Sequence, residues 1–171
     1  MGIPCHTKNN TFGRNGERMA LTTREVSLIQ SSFQEVVPIK AQAAEIFYDK
    51  LFQYDPALQP LFKTSMTTQG NMLMATLGVA VKGLNDLDAL VPVLQDLAIR
   101  HIDYGVKVED YSPVGNALLY ALEQGLGPKF TPEVKQAWVK VYQVIAEVMR
   151  SAAYPNYDSG TFKNAKRYAK N

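Results

Sequence analysis

Chemistry in this chain starts from one imidazole. The sequence holds two histidines, and His6 lies in a polar leader, so His101 is the internal one. It follows Leu90, Val93, Leu94, Leu97 and Ala98, which recur at helical spacing, and it falls on the same face near the end of that helix. A histidine in such a place is either a core residue satisfied by hydrogen bonds, as buried polar groups generally are, or a metal ligand, neutral imidazole being the commonest one. The residue by itself leaves both readings open.

The elements that must position it can be read in order. Residues 1–18 are rich in Asn, Gly, Thr and Lys without periodicity and read as a flexible leader, with Met19 a second candidate start. Thr22-x-x-Glu25 is a capping box opening a helix whose apolar face is Val26, Ile29, Phe33 and Val36–Val37, broken or kinked at Pro38. A second helix spans about 39–53 with Ala43, Ile46, Phe47 and Leu51 inward, and Asp55–Pro56 starts a short helical turn through Leu61–Phe62. Ser65 or Thr67 caps a helix over about 67–83 carrying Leu73, Leu77 and Val79–Val81. Acidic residues at 86 and 88 open the helix that ends near His101–Tyr104, with Gly105 as its stop. Further helices run from about Glu109 to Leu126, with Val114, Leu118, Leu119 and Leu122 inward, and from Thr131–Pro132 to about Tyr154, ended by Pro155. Six or seven helices, short links and no alternating strand pattern make an all-α domain over residues 19–154, followed by a polar, basic tail, 155–171.

At 171 residues the chain is long enough for one substantial core. No apolar run is long enough to span a bilayer, and the leader lacks the apolar segment of a secretory signal. The single cysteine, Cys5, cannot form an internal disulfide and fits a reducing, cytoplasmic setting. The net charge of +2 hides an asymmetry: residues 19–154 carry 11 Lys/Arg against 14 Asp/Glu, while leader and tail are basic. Basic extensions on an acidic body read as solubilising; a nucleic-acid partner or stable membrane insertion is not expected.

The motifs that settle the alternatives for His101 stand in a fixed order: Phe47–Tyr48-x-x-Leu51–Phe52, Pro60–Leu61–Phe62, Gln69-x-x-x-Leu73, His101-x-x-x-Gly105–Val106, Tyr111-x-Pro113–Val114–Gly115 and Ala137–Trp138-x-x-x-Tyr142. Over residues 20–154 this order resembles bacterial single-domain globins and the haem domain of flavohaemoglobins. The resemblance implies a globin fold of six to eight helices around a haem pocket, with His101 as the proximal iron ligand. Its Nδ1–H would then donate to a carbonyl about one turn earlier, such as that of Leu97. Phe62 matches the phenylalanine that packs against the porphyrin, Tyr48 and Gln69 the distal pair, and Leu73 an apolar wall of the ligand pocket. Val106, Tyr111, Val114 and Tyr142 are expected at the haem edge or on the proximal side. Without a Cys-x-x-Cys-His, the expected cofactor is haem b (iron protoporphyrin IX) rather than a covalently attached c-type haem.

Dioxygen on a haem is polarised, with partial negative charge on its outer atom, so a Tyr hydroxyl and a Gln amide both stabilise it; CO gains less. Bis-histidine ligation of the neuroglobin kind would require His6 to fold inward and is not expected. On the proximal side the resemblance is incomplete. The late-helix Glu of a His–Tyr–Glu network falls on Ala153, and Glu147 and Tyr154 have the wrong offset to replace it. A reductase domain is not expected within the chain. The implied function is reversible binding of O2, CO or NO; the alternatives are NO dioxygenation with a separate reductase, or sensing through a partner.

Overall fold

The computed structural model describes residues 20–164; the leader with Cys5, His6 and Met19, and residues 165–171, lie outside the described residues. Helix α1, Thr23–Val36, opens on the Thr22 capping box, in which the Thr22 side chain accepts from Glu25 N–H and the Glu25 carboxylate accepts from Thr22 N–H. Pro38 sits in a 3₁₀ turn, Val37–Ile39, that joins it to α2, Lys40–Tyr54. The Asp55 carboxylate accepts from Ala57 N–H at 3.2 Å and starts a second 3₁₀ segment, Pro56–Leu61. Ser65 caps α3, Met66–Lys82, and Asp86 caps α4, Leu87–Asp103. After a 3₁₀ turn, Val108–Asp110, comes α5, Tyr111–Leu126; Thr131 caps α6, Pro132–Ala153. Among the described residues there are six α-helices and no strand, and no helix is long and apolar enough to cross a membrane.

The core forms where α2 crosses α5 and α3, and where α6 covers α1 and α4. Ile29, Val36, Leu51 and Trp138 are almost fully enclosed, and the Trp138 indole donates to the Ser32 hydroxyl at 2.9 Å. That hydroxyl in turn donates back to main-chain carbonyls of α1, so the buried polar pair is satisfied. Two glycines set the helix spacing. A Cβ on Gly70 would lie 3.0 Å from the Ala44 methyl, which puts α2 and α3 in contact through small residues. A Cβ on Gly115 would clash with the edge of the Tyr142 ring, which packs directly on α5 at that point.

Three residues expected inside lie outside. Val37, Val79 and Val93 are 39%, 55% and 44% exposed. Val37 is turned outward by the 3₁₀ turn at Pro38. Val79 is two residues from buried Val81, and successive residues advance by about 100° around a helix, so the two cannot share a face. Val93 lies at the edge of the stripe made by Leu90, Leu94 and Ala98.

Candidate functional site

His101 occupies the last turn of α4, and the way that helix stops holds it in place. Gly105 takes a positive φ of 89°. The chain then folds back so that Gly105 N–H donates to Ile102 O at 2.9 Å and Val106 N–H to His101 O at 3.0 Å. This doubled bond pair is the Schellman ending, which only a residue free to take positive φ permits cheaply. One turn earlier, the Leu97 carbonyl lies 2.8 Å from His101 Nδ1. A carbonyl can only accept, so Nδ1 carries the proton and Nε2 is left as the lone-pair nitrogen. Nε2 makes no hydrogen bond among the described residues. Burial, reinforced by the neighbouring Arg100 charge, holds the imidazole below its usual pKa and favours the neutral ring, although the Leu97 bond pulls the other way.

Tyrosines crowd the segment that follows. Tyr154 donates through its hydroxyl to Val106 O at 2.6 Å and meets the Tyr111 ring edge-on, 6.4 Å between centroids. Tyr142 donates to the Tyr111 main-chain carbonyl, and burial pushes its hydroxyl well above the usual phenol range. The Tyr111 hydroxyl is buried without a hydrogen-bond partner among the described residues. Ala153, where the resemblance would place a glutamate, contributes a buried methyl. Glu147 accepts instead from Tyr157 and Ser151. Arg150 lies here as well. Its Nε donates to Val108 O at 3.0 Å, and its guanidinium stands over the rings of Tyr111 (5.3 Å) and Phe162 (4.9 Å). Residues 155–164 are thereby fastened to the start of α5, and Asn164 adds a bond to Glu109 O at 3.2 Å.

The distal candidates gather around the α2–α3 crossing. Tyr48 is buried among Phe47, Phe52 and Phe62, with ring centroids 4.9, 6.0 and 5.2 Å away. Four residues after Ala44, it reaches across the Gly70 contact, and its hydroxyl donates to the main-chain carbonyl of Gln69 at 3.2 Å. Desolvation raises that hydroxyl to about 12. The Gln69 side-chain amide donates to Thr64 Oγ1 at 2.6 Å. Leu73, one turn on, lines a small apolar void of about 20 Å³ with Phe47, Leu77, Leu118 and Trp138.

The structure thus brings Tyr48, Phe62 and Gln69 together in one cluster, and Tyr111 and Tyr142 in another, with Val106 bonded directly to His101. Phe62, Leu73, Val106 and Val114 are all half-buried against the core. Ile102 and Tyr104, beside His101, are 40% and 51% exposed. A neutral imidazole with an unused nitrogen, an unpartnered buried phenol and a set of incompletely covered apolar side chains fit a flat, apolar, metal-bearing prosthetic group. Among the described residues no cluster of three His, Cys, Asp or Glu side chains could hold a metal by itself. Sequence reasoning passed over Thr64 and Arg150. Arg150 had a weak signal, a cation in the last turn of a helix. Thr64 had one too, the spacing from the residue before an N-cap to the fourth helical position.

A sequence model of the globin family matches residues 45–149. Among curated proteins, the neuroglobin of Danio rerio is 30% identical over 144 residues, covering 75% of this chain and 90% of that protein. The flavohemoprotein of Bacillus subtilis is 33% identical over 138 residues, covering 74% of this chain and 33% of that protein. Among solved structures, an engineered carbene transferase, RmaNOD, from Rhodothermus marinus superposes with a TM-score of 0.71 at 21% identity, covering 80% of this chain and 95% of that one. A hexacoordinated haem protein from an anhydrobiotic tardigrade gives 0.73 at 19% identity, covering 80% and 97%. At such identities the two structures speak for the fold alone. The family match and the zebrafish relative carry the conclusion: the chain belongs to the globin family.

Proposed function

We propose that this globin binds a b-type haem without covalent attachment and uses it to bind O2 reversibly, with CO and NO as alternative ligands. The observation that carries the reading is the state of His101: proton on Nδ1 and given to Leu97 O, main-chain carbonyl tied by Val106, Nε2 free. A ligating histidine needs that fixed tautomer and orientation. When bound, haem supplies an iron that takes up a diatomic gas; the protein supplies binding, orientation and electrostatics. His101 presents Nε2 from a helix end that cannot fray without breaking the Schellman pair. Phe62, Leu73, Val106 and Val114 favour an apolar ring system by removing it from water. Tyr48 and Gln69 are the hydrogen-bond donors for a polarised ligand, and the aromatic rings around Tyr48 make a bond from its hydroxyl stronger than in water.

The test is His101→Ala. The expected result is loss of most haem and of the wild-type Soret band, and a wild-type haem content and spectrum in the variant overturns the assignment. A second reading, NO dioxygenation with electrons from a separate reductase, draws on the match to the flavohemoprotein. Sustained NO turnover with a supplied reductant, as against one equivalent consumed per haem, decides for it.

A further inference from the structure

Gln69 is held from two sides. Its main-chain carbonyl accepts the Tyr48 hydroxyl at 3.2 Å, and its side-chain amide donates to Thr64 Oγ1 at 2.6 Å. Thr64 stands one residue before the N-cap Ser65, and Gln69 is the fourth residue of α3. Residues at these two places commonly pack together to fasten a helix start, with apolar side chains. In this chain the fastener is polar, and α3 does not depend on it. Ser65 already accepts from Thr68 N–H at 3.2 Å and donates to the Thr68 hydroxyl at 2.9 Å. Thr64 is exposed, so the bond that holds the Gln69 amide lies at the surface. Tyr48 has a single hydroxyl proton, and it too is committed, to Gln69 itself. The one Tyr48 proton and one of the two Gln69 amide protons are therefore engaged within the protein before any ligand arrives, and the Thr64 bond fixes where the amide points.

We propose that Thr64 is a positioning residue for the distal site: its hydroxyl is a latch that holds the Gln69 amide toward solvent, and the amide must swing off it to reach a gas ligand. The proposal deepens the haem-binding reading and rests on it. Distal hydrogen bonding is then weaker than the Tyr/Gln pair alone would give, by the strength of the latch. Removing the acceptor releases the amide to the ligand.

The experiment uses Thr64→Val, which keeps the side-chain shape and removes the hydroxyl, and Thr64→Ser, which restores it. In the protein without haem, the Gln69 side-chain amide is observed by ¹⁵N NMR and assigned by its loss in Gln69→Leu. Its signals shift and exchange faster with solvent in Thr64→Val, and stay as in wild type in Thr64→Ser. In the haem-loaded protein, O2 dissociation slows by about 2- to 10-fold in Thr64→Val, as expected for one net hydrogen bond, and stays within about twofold in Thr64→Ser. In the Gln69→Leu background Thr64→Val then has no further effect, since the two residues act as one unit. An amide signal indifferent to Thr64→Val, an O2 off-rate that does not slow, or an effect that persists without Gln69 overturns the latch. A wild-type protein that takes up no haem overturns the haem reading instead, so the two failures are told apart.

Discussion

Tyr48→Phe keeps an aromatic ring within 4.9–6.0 Å of three neighbours and removes one hydroxyl. Two effects follow, of different size. Without ligand, the variant loses the bond to Gln69 O. That carbonyl stands within α3, where the helix ladder also claims it, so no acceptor is orphaned and the cost stays near the ordinary net value, about 0.5–1.5 kcal/mol. For a domain of this size, that is about 2–4 °C of melting temperature per kcal/mol. With O2 present, the wild-type hydroxyl must give up Gln69 O to reach the ligand. Its gain there, about 1–3 kcal/mol for a bond in a dry pocket, is reduced by the bond it relinquishes. The difference, up to about 1.5 kcal/mol, corresponds to an O2 affinity about 2- to 10-fold weaker in Tyr48→Phe. Stopped-flow O2 release and flash-photolysis rebinding give the two rates whose ratio is that affinity, and CO serves as the control because it is the poorer acceptor. An O2 affinity within about 1.5-fold of wild type refutes the reasoning: the hydroxyl would then only brace α2 against α3.

Ala153→Glu places a carboxylate in a buried position on α6, and the Tyr111 hydroxyl, buried without a partner among the described residues, is its expected donor. The iron–histidine stretch in resonance Raman and peroxidase-like turnover should both rise, while stability falls; a wild-type stretch already as high as in strongly donating haem proteins would show that another acceptor is present. Alkaline pH tests the buried phenols. Desolvation raises Tyr48 from 10.0 to about 12 and moves Tyr111 and Tyr142 in the same direction. Groups whose folded pKa is raised stabilise the fold fully below their unfolded value, and that stability is lost as pH climbs above it. Denaturant midpoints should thus hold level up to about pH 10 and then fall, with phenolate absorbance at 295 nm rising together with unfolding; complete ionisation of all tyrosines in a still-folded protein would contradict this.

Helix starts were legible because capping is local. Thr22, Asp55, Asp86 and Thr131 each accept from a backbone N–H two or three residues on, which the sequence shows without any tertiary information. The choice between Ser65 and Thr67 as the cap of α3 went to Ser65, which brings Thr64 within reach of Gln69. Apolar runs were less reliable. In Val79–Ala80–Val81 hydrophobicity alone does not fix the helix phase, and it is the packing of α3 that buries Val81 and leaves Val79 to solvent. The 3₁₀ links at 83–85, 108–110 and 127–129 were not anticipated, since their i to i+3 geometry leaves no strong composition mark.

The same division runs through the site. The bond from His101 to Leu97 O and the stop at Gly105 were readable, because α-helix geometry places residue i−4 under the imidazole and a glycine after the last turn. Arg150 was not, since its role depends on how the end of α6 lies over the loop after α4. The tail is polar and basic in composition, yet Tyr157 and Phe162 hold to Arg150 by ring faces, an attachment that needs little apolar burial. The missing glutamate at Ala153 gains physical meaning from this arrangement. A carboxylate there would accept the Tyr111 hydroxyl proton. The guanidinium of Arg150 engages the negative face of the Tyr111 ring instead, and among the described residues the hydroxyl proton has no acceptor.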